Sequence, residues 1–121
     1  MEHAWTQSEE TVLGTIEIAP EVVELIASLA AVEIEGIRAM SGSFVGDLTE
    51  KIGRKNLRKG VRVHVNEEGV AVDVSVIVHY GTSIPDVARE LQYSVQEAIE
   101  AMTSLPVKHV RVFVTGVDVP K

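Results

Sequence analysis

The chain has 121 residues, the length of one ordinary domain, and its 45% apolar and 24% charged residues exclude an intrinsically disordered protein. It has no cysteine, which excludes disulfides, thiolate nucleophiles and cysteine-ligated metal centres and suits a reducing cytosol. The formal net charge of −7 makes nucleic acid an unlikely partner, because the overall field of the protein repels phosphate.

The first eleven residues are acidic and polar, and they predict a flexible N-terminal lead-in without the apolar core of a signal peptide. Residues 12–121 predict a single α/β domain, since no repeat or low-complexity linker divides them. No apolar run approaches the roughly 20 residues that span a bilayer. We therefore expect a cytoplasmic protein that does not insert into the membrane and is recruited to it only by a partner.

The first half of the domain predicts a strand, a helix and a short second strand. Apolar and polar residues alternate over 13–19, which is typical of a half-buried strand. Pro20 suits the first position of a helix that runs to about Glu35, and Gly36 suits the left-handed position after its last turn. A short strand follows over 37–40, and the rest of 37–60 has the weakest periodicity in the chain.

Valine at every second position over 61–65 and 70–78 predicts a β-hairpin, with its turn over 66–69. The register that fits the turn places all these valines on one face. It also sets Arg62 opposite Asp73, a cross-strand pair that supports the register and implies no catalytic role.

The last third of the chain predicts a long helix and a final strand. Ser83 caps the helix, with Asp86 completing a start that resembles a capping box, and Pro106 ends it. A strand over 107–115 follows, with a bulge or bend at Gly116. The order β-α-(β)-β-β-α-β predicts an α+β two-layer sandwich, a mostly antiparallel sheet with both helices on one face.

Candidate catalytic and metal-binding residues do not form a recognisable constellation. His64, His79 and His109 all fall on the polar side of predicted strands, but the first two are ~27 Å apart in this register and cannot share a metal ion. No nucleophile elbow is present, and no carboxylate pair is set in an apolar segment. The sequence therefore predicts a protein that is not an enzyme and has no cofactor, metal site or catalytic residues.

The segment 53–60 is the candidate for binding anions. It concentrates four basic residues between two glycines: Arg54, Lys55, Arg58 and Lys59. It lacks the Gly-Lys-Ser/Thr sequence that ends a Walker loop, and it lacks the glycine spacing of a dinucleotide-binding fingerprint. Two interpretations stay open, a solvated loop at the entry to a strand or a contact with an anionic partner.

A second candidate lies on the polar side of the sheet, where Ile77 and Phe113 are apolar. Single exposed apolar residues are normal on protein surfaces. Two of them on neighbouring strands also fit the centre of a dimer or partner interface.

Several short segments together carry a resemblance to a known family. They are GTIEIAP at 14–20, EGIRAMSG at 35–42, GRKN at 53–56, KGV at 59–61, YGTSIPDV at 80–87 and VTGV at 114–117. In this order they resemble the alkaline-shock, or general-stress, envelope stress response proteins of Gram-positive bacteria. The resemblance covers nearly everything from residue 13 to residue 119.

The resemblance implies a non-catalytic adaptor or regulatory protein in cell-envelope stress or lipid homeostasis that acts through protein–protein contacts. It implies self-association and a protein partner that is membrane-anchored or related to lipid synthesis, and it supplies no active-site residues. The alternative is an anion-binding module, for RNA or a phosphorylated metabolite, that uses the basic loop 53–60.

Overall fold

A computed structural model describes the backbone of residues 7–11 and, in full, residues 12–42, 60–66 and 68–120. Within these residues the chain forms six strands and two helices. In chain order they are β1 (Gln7–Thr11), β2 (Gly14–Ile18), α1 (Pro20–Val32), β3 (Ile37–Met40), β4 (Val61–Asn66), β5 (Gly69–His79), α2 (Ile84–Thr103) and β6 (Val107–Asp118).

The main sheet is built around β5. Strands β4 and β3 pair antiparallel with one edge of β5, β4 along its first half and β3 along its second half. Strand β6 pairs with the opposite edge and runs parallel to β5, because α2 carries the chain back across the sheet between them. The β4–β5 hairpin has the predicted register, with Val65 opposite Val70 and Arg62 opposite Asp73.

The core lies between one face of this sheet and the two helices. Every second residue of β5 is a valine that solvent hardly reaches, since successive side chains of a strand point to opposite faces. Leu91, Val95 and Ile99 recur along one side of α2 and are fully buried against them. The architecture is thus the predicted α+β sandwich with both helices on one face of a mostly antiparallel sheet.

Strands β1 and β2 form a separate two-stranded sheet. Strand β1 falls within the predicted N-terminal lead-in, where the sequence QSEET shows no apolar alternation from which to expect a strand. Val12 and Leu13, in the turn between the two strands, are 99% and 97% exposed. Ile18 at the end of β2 packs against the main core and ties this hairpin to the domain.

Helix α1 ends at Val32, before the predicted end near Glu35. The chain then turns, and the Ile37 amide donates a hydrogen bond to the Ile34 carbonyl. Gly36 adopts a positive φ of +105°, as a left-handed glycine was expected to, but in this turn and not directly after the helix.

The predicted capping box at the start of α2 is wrong. Ser83 occupies the N-cap position but its side chain makes no capping hydrogen bond to the backbone. The Asp86 carboxylate instead accepts hydrogen bonds from the side chains of Ser83 and Arg89, which lower its pKa. The shorter carboxylate of aspartate binds these side chains and not the backbone amide that a capping box requires.

The predicted irregularity at Gly116 is present, and β6 continues beyond it to Asp118. Val76 pairs with Val114 and Ile77 pairs with Gly116, so Thr115 is an extra residue on β6. This bulge keeps the residues on either side of it in register with β5.

A candidate binding surface on the outer face of the sheet

The face of the sheet opposite the helices is polar and largely open, and we call it the outer face. Its side chains alternate with the valines that face the core along β4, β5 and β6. They are Arg62 and His64 on β4, Asp73, Ser75 and Ile77 on β5, and His109, Arg111, Phe113 and Thr115 on β6.

Asp73 is the electrostatic centre of this face. Arg111 donates two hydrogen bonds to its carboxylate, from Nε to Oδ1 at 2.9 Å and from an Nη to Oδ2 at 3.1 Å. His64 Nε2 lies 3.5 Å from Oδ2. The hydrogen bonds from Arg111 are the main reason that the pKa of Asp73 is lowered, and partial desolvation opposes them. Asp73 therefore stays ionised and paired with Arg111. A carboxylate held in this way does not suit the role of a general acid or base.

The pairing of Asp73 with Arg111 was not foreseen from the sequence. Asp73 lies between Arg62 and Arg111 in the register of the three strands, and the guanidinium on β6 makes the ion pair. Only the parallel pairing of β6 with β5 brings Arg111 to this position. The sequence feature that could have indicated this ion pair is Arg111 itself, a charged residue that alternates with the valines of β6.

Phe113 and Ile77 lie on neighbouring strands of the outer face. Phe113 is opposite Ser75 and 44% exposed, and the guanidinium carbon of Arg111 lies 5.7 Å from its ring centroid. Ile77 is half-buried and pairs with Gly116, where an added methyl group would make ordinary van der Waals contact with it. The two apolar residues thus occupy diagonal positions within one otherwise polar face. Side chains at diagonal positions are close enough for an aromatic ring to reach its neighbour.

A groove of about 330 Å³ opens beside Phe113. The described part of its lining combines charged side chains, hydroxyl side chains and an aromatic ring with a glycine; these residues are Ser41, Gly60, Arg62, Asp73, Ser75, Phe113 and Thr115. The hydroxyl oxygens of Ser41 and Thr115 are 2.5 Å apart and share a hydrogen bond. The Ser41 amide donates to the Ser75 carbonyl, which fixes this wall of the groove to β5.

The three strand histidines are separated. His64 and His109 lie on opposite sides of Ala71, and His79 lies eight positions further along β5, beside Asp118 of β6. In the part of the chain that the structure describes, no three histidine, aspartate or glutamate side chains are grouped as a metal site requires.

The four basic residues of the predicted anion-binding loop, Arg54, Lys55, Arg58 and Lys59, lie outside the described residues. Their interpretation as a solvated loop or an anion contact stays a prediction. Ser41 and Gly60, which stand on either side of residues 42–59, both line the groove.

Among the described helices, none combines the length and the apolar character that a membrane crossing requires.

Comparison with family models gives a match over residues 8–119 to the alkaline shock protein 23 family, which has a cell envelope-related function. The chain belongs to this family. The resemblance found in the sequence is therefore confirmed, and with it a function related to the cell envelope.

Relatives from Gram-positive bacteria agree with this membership. The chain is 39% identical over 110 residues to the protein YqhY of Bacillus subtilis, covering 91% of this chain and 82% of YqhY. It is 35% identical over 111 residues to YloU of the same organism, covering 90% and 92% of the two chains. A stress response regulator gls24 homolog of Streptococcus pyogenes is 30% identical over 105 residues, 86% of this chain and 59% of that protein.

The fold also resembles that of a solved MamM-CTD variant. The two share a TM-score of 0.50 at 15% sequence identity, over 80% of this chain and 98% of the other. At this identity the likeness concerns the fold alone.

Proposed function

We propose that this family member is a non-catalytic adaptor or regulator in cell-envelope stress or lipid homeostasis, and that the outer face of the sheet makes its protein–protein contacts. The observation that supports this most is the position of Phe113, an aromatic ring 44% exposed on an open sheet face with Ile77 diagonal to it. Aromatic residues anchored among polar neighbours are enriched at the centres of protein interfaces.

The surroundings of Phe113 suit a contact that forms and dissociates. Arg111 lies over the ring while its guanidinium binds Asp73, so the aromatic is held in place before a partner arrives. A side chain that is already ordered loses little conformational entropy on binding. The polar groups around it can bind the partner's polar groups or water, as in the rim of a transient interface.

The test is affinity purification of the tagged protein from crosslinked cells, with three versions of the chain compared. One is the wild type, one carries Ile77→Ser and Phe113→Ser, and the control carries Tyr93→Ser. Tyr93 is 63% exposed on α2, so its replacement removes a similar exposed ring from the helix side of the molecule. We expect a membrane-anchored or lipid-synthesis protein to be enriched with the wild type and the control, and lost with the double variant.

Recovery of the same partner by the double variant would show that the outer face does not make the contact. Failure of all three versions to recover such a protein would refute the adaptor function. Sedimentation of the purified chain tests self-association separately. We expect the double variant to sediment as a smaller species than the Tyr93 control.

A further inference from the structure

We propose that the groove beside Phe113 is a binding site for a phosphate group, with Arg62 as its principal ligand. This inference goes beyond the adaptor function and does not depend on it. It concerns the polar end of the outer face, where Arg62, Ser41, Ser75 and Thr115 surround one open space of about 330 Å³. That volume accommodates a phosphate together with a small organic group.

The charge balance of the groove favours an anion. Among the residues that the structure describes, Arg62 and Asp73 are the charged residues of its lining, and Asp73 is already neutralised by the two hydrogen bonds from Arg111. Arg62 forms no ion pair and no side-chain hydrogen bond with the residues that the structure describes. Its guanidinium thus presents unused donors in the planar arrangement that matches phosphate oxygens.

Hydroxyl groups complete the donor set on the opposite wall. Thr115 also donates to the Val76 carbonyl at 3.4 Å, so Ser41 is the donor in the hydrogen bond that the two hydroxyls share, and its proton reaches a ligand when that bond is exchanged. Ser75, in the middle of β5, lines the same space. A guanidinium with two or three hydroxyls is a common donor set for phosphate, because each bond to the charged oxygens is charge-assisted.

The phosphate can come from a soluble phosphorylated compound or from a lipid headgroup, and the binding chemistry is the same. The first experiment titrates inorganic phosphate into the full chain at constant ionic strength and follows the backbone amides by NMR. We expect the largest shifts at Ser41, Gly60, Arg62 and Ser75. Arg62→Gln should weaken binding by about tenfold or more, which is typical for loss of a charged hydrogen bond.

The matched control is Arg89→Gln on α2, where the arginine forms an ion pair with the exposed Asp86 three residues before it. It removes the same charge and should leave phosphate binding unchanged. A chain with the four basic residues of 53–60 replaced by alanine separates groove binding from loop binding. Loss of binding in that chain, with Arg62→Gln unaffected, would overturn the groove as the site.

Flotation with vesicles distinguishes the two sources of phosphate. If the wild type floats with phosphatidylglycerol vesicles but not with phosphatidylcholine vesicles, and Arg62→Gln does not float, the ligand is a lipid headgroup. If phosphate binds in solution without flotation, the ligand is a soluble compound. Phosphate shifts that are absent, or that persist unchanged in Arg62→Gln, would refute the site whatever the adaptor experiment shows.

Discussion

The contact between the start of β5 and the start of β6 depends on a glycine, and Gly69→Ala tests it. Gly69 has a φ of +142°, which an alanine adopts only with strain of about 1–3 kcal/mol. A methyl group at this position would lie 2.5 Å from the Pro106 carbonyl oxygen. That oxygen accepts a hydrogen bond of 2.9 Å from the Val70 amide. Relief of the clash therefore lengthens this bond, at a further cost of about 0.5–1.5 kcal/mol.

We expect Gly69→Ala to lower the free energy of unfolding by about 1–4 kcal/mol, after the smaller gain from a less flexible unfolded chain is subtracted. The control is Gly81→Ala, in the turn before α2. Gly81 also has a positive φ, +94°, but an added methyl would meet nothing within 4 Å. Gly81→Ala should incur the strain without the clash, so its free energy of unfolding should fall by about 0.5–1.5 kcal/mol less.

Urea denaturation followed by circular dichroism measures both variants, provided that their transitions have the same slope as the wild type. Equal losses at Gly69 and Gly81 would refute the role of the Pro106 contact and leave only backbone strain. A loss at Gly69 below that at Gly81 would contradict the pairing of these strand ends.

Two further outcomes follow from the core and from the outer face. Leu91→Ala, at a fully buried position of α2, should lower the free energy of unfolding by about 2–5 kcal/mol in the same urea assay, whereas Tyr93→Ala should change it by less than about 0.5 kcal/mol. Asp73→Asn should lower stability slightly at pH 7, because it removes the ion pair with Arg111. The lowered pKa of Asp73 means that this contribution is present above about pH 4 and is lost as the pH falls through the lowered value, so urea midpoints of wild type and variant should converge in acid. Midpoints that stay equally far apart down to pH 2 would exclude the carboxylate as the source of the difference.

The parts of the fold that could be predicted are those in which one periodicity dominates. The valines of β5 recur at every second position, and Leu91, Val95 and Ile99 recur at helical spacing. The sequence alone therefore predicts which side of the strand and of the helix is buried. Strand β1 could not be predicted in this way. Its residues are polar throughout, and what makes it a strand is backbone pairing with β2.

The candidate site shows a different limit. The sequence predicts that Ile77 and Phe113 face away from the core, since that follows from alternation within each strand. It does not predict that Arg111 binds Asp73, because this needs the offset between two parallel strands joined through a helix of twenty residues. Nor does it predict that Ser41 and Gly60 meet at one groove, since residues 42–59 separate them in the chain and only the shared edge of β5 brings them together.

Basic residues are concentrated in one stretch of this acidic sequence. Seven of the eleven basic residues fall between positions 38 and 62, and they are Arg38, Lys51, Arg54, Lys55, Arg58, Lys59 and Arg62. The same stretch contains only two of the eighteen acidic residues, Asp47 and Glu50.

Arg62 attracts an anionic ligand that approaches the outer face, while the net charge of −7 of the whole chain repels it. Salt screens both effects, but it screens the long-range repulsion more completely than a contact with Arg62 inside the groove. Phosphate binding in the groove should consequently weaken less with added salt than binding to a basic protein with the same number of contacts. A contact made only by exposed lysines and arginines would show the full salt dependence, and the slope of affinity against salt thus distinguishes a defined groove from a diffuse basic surface.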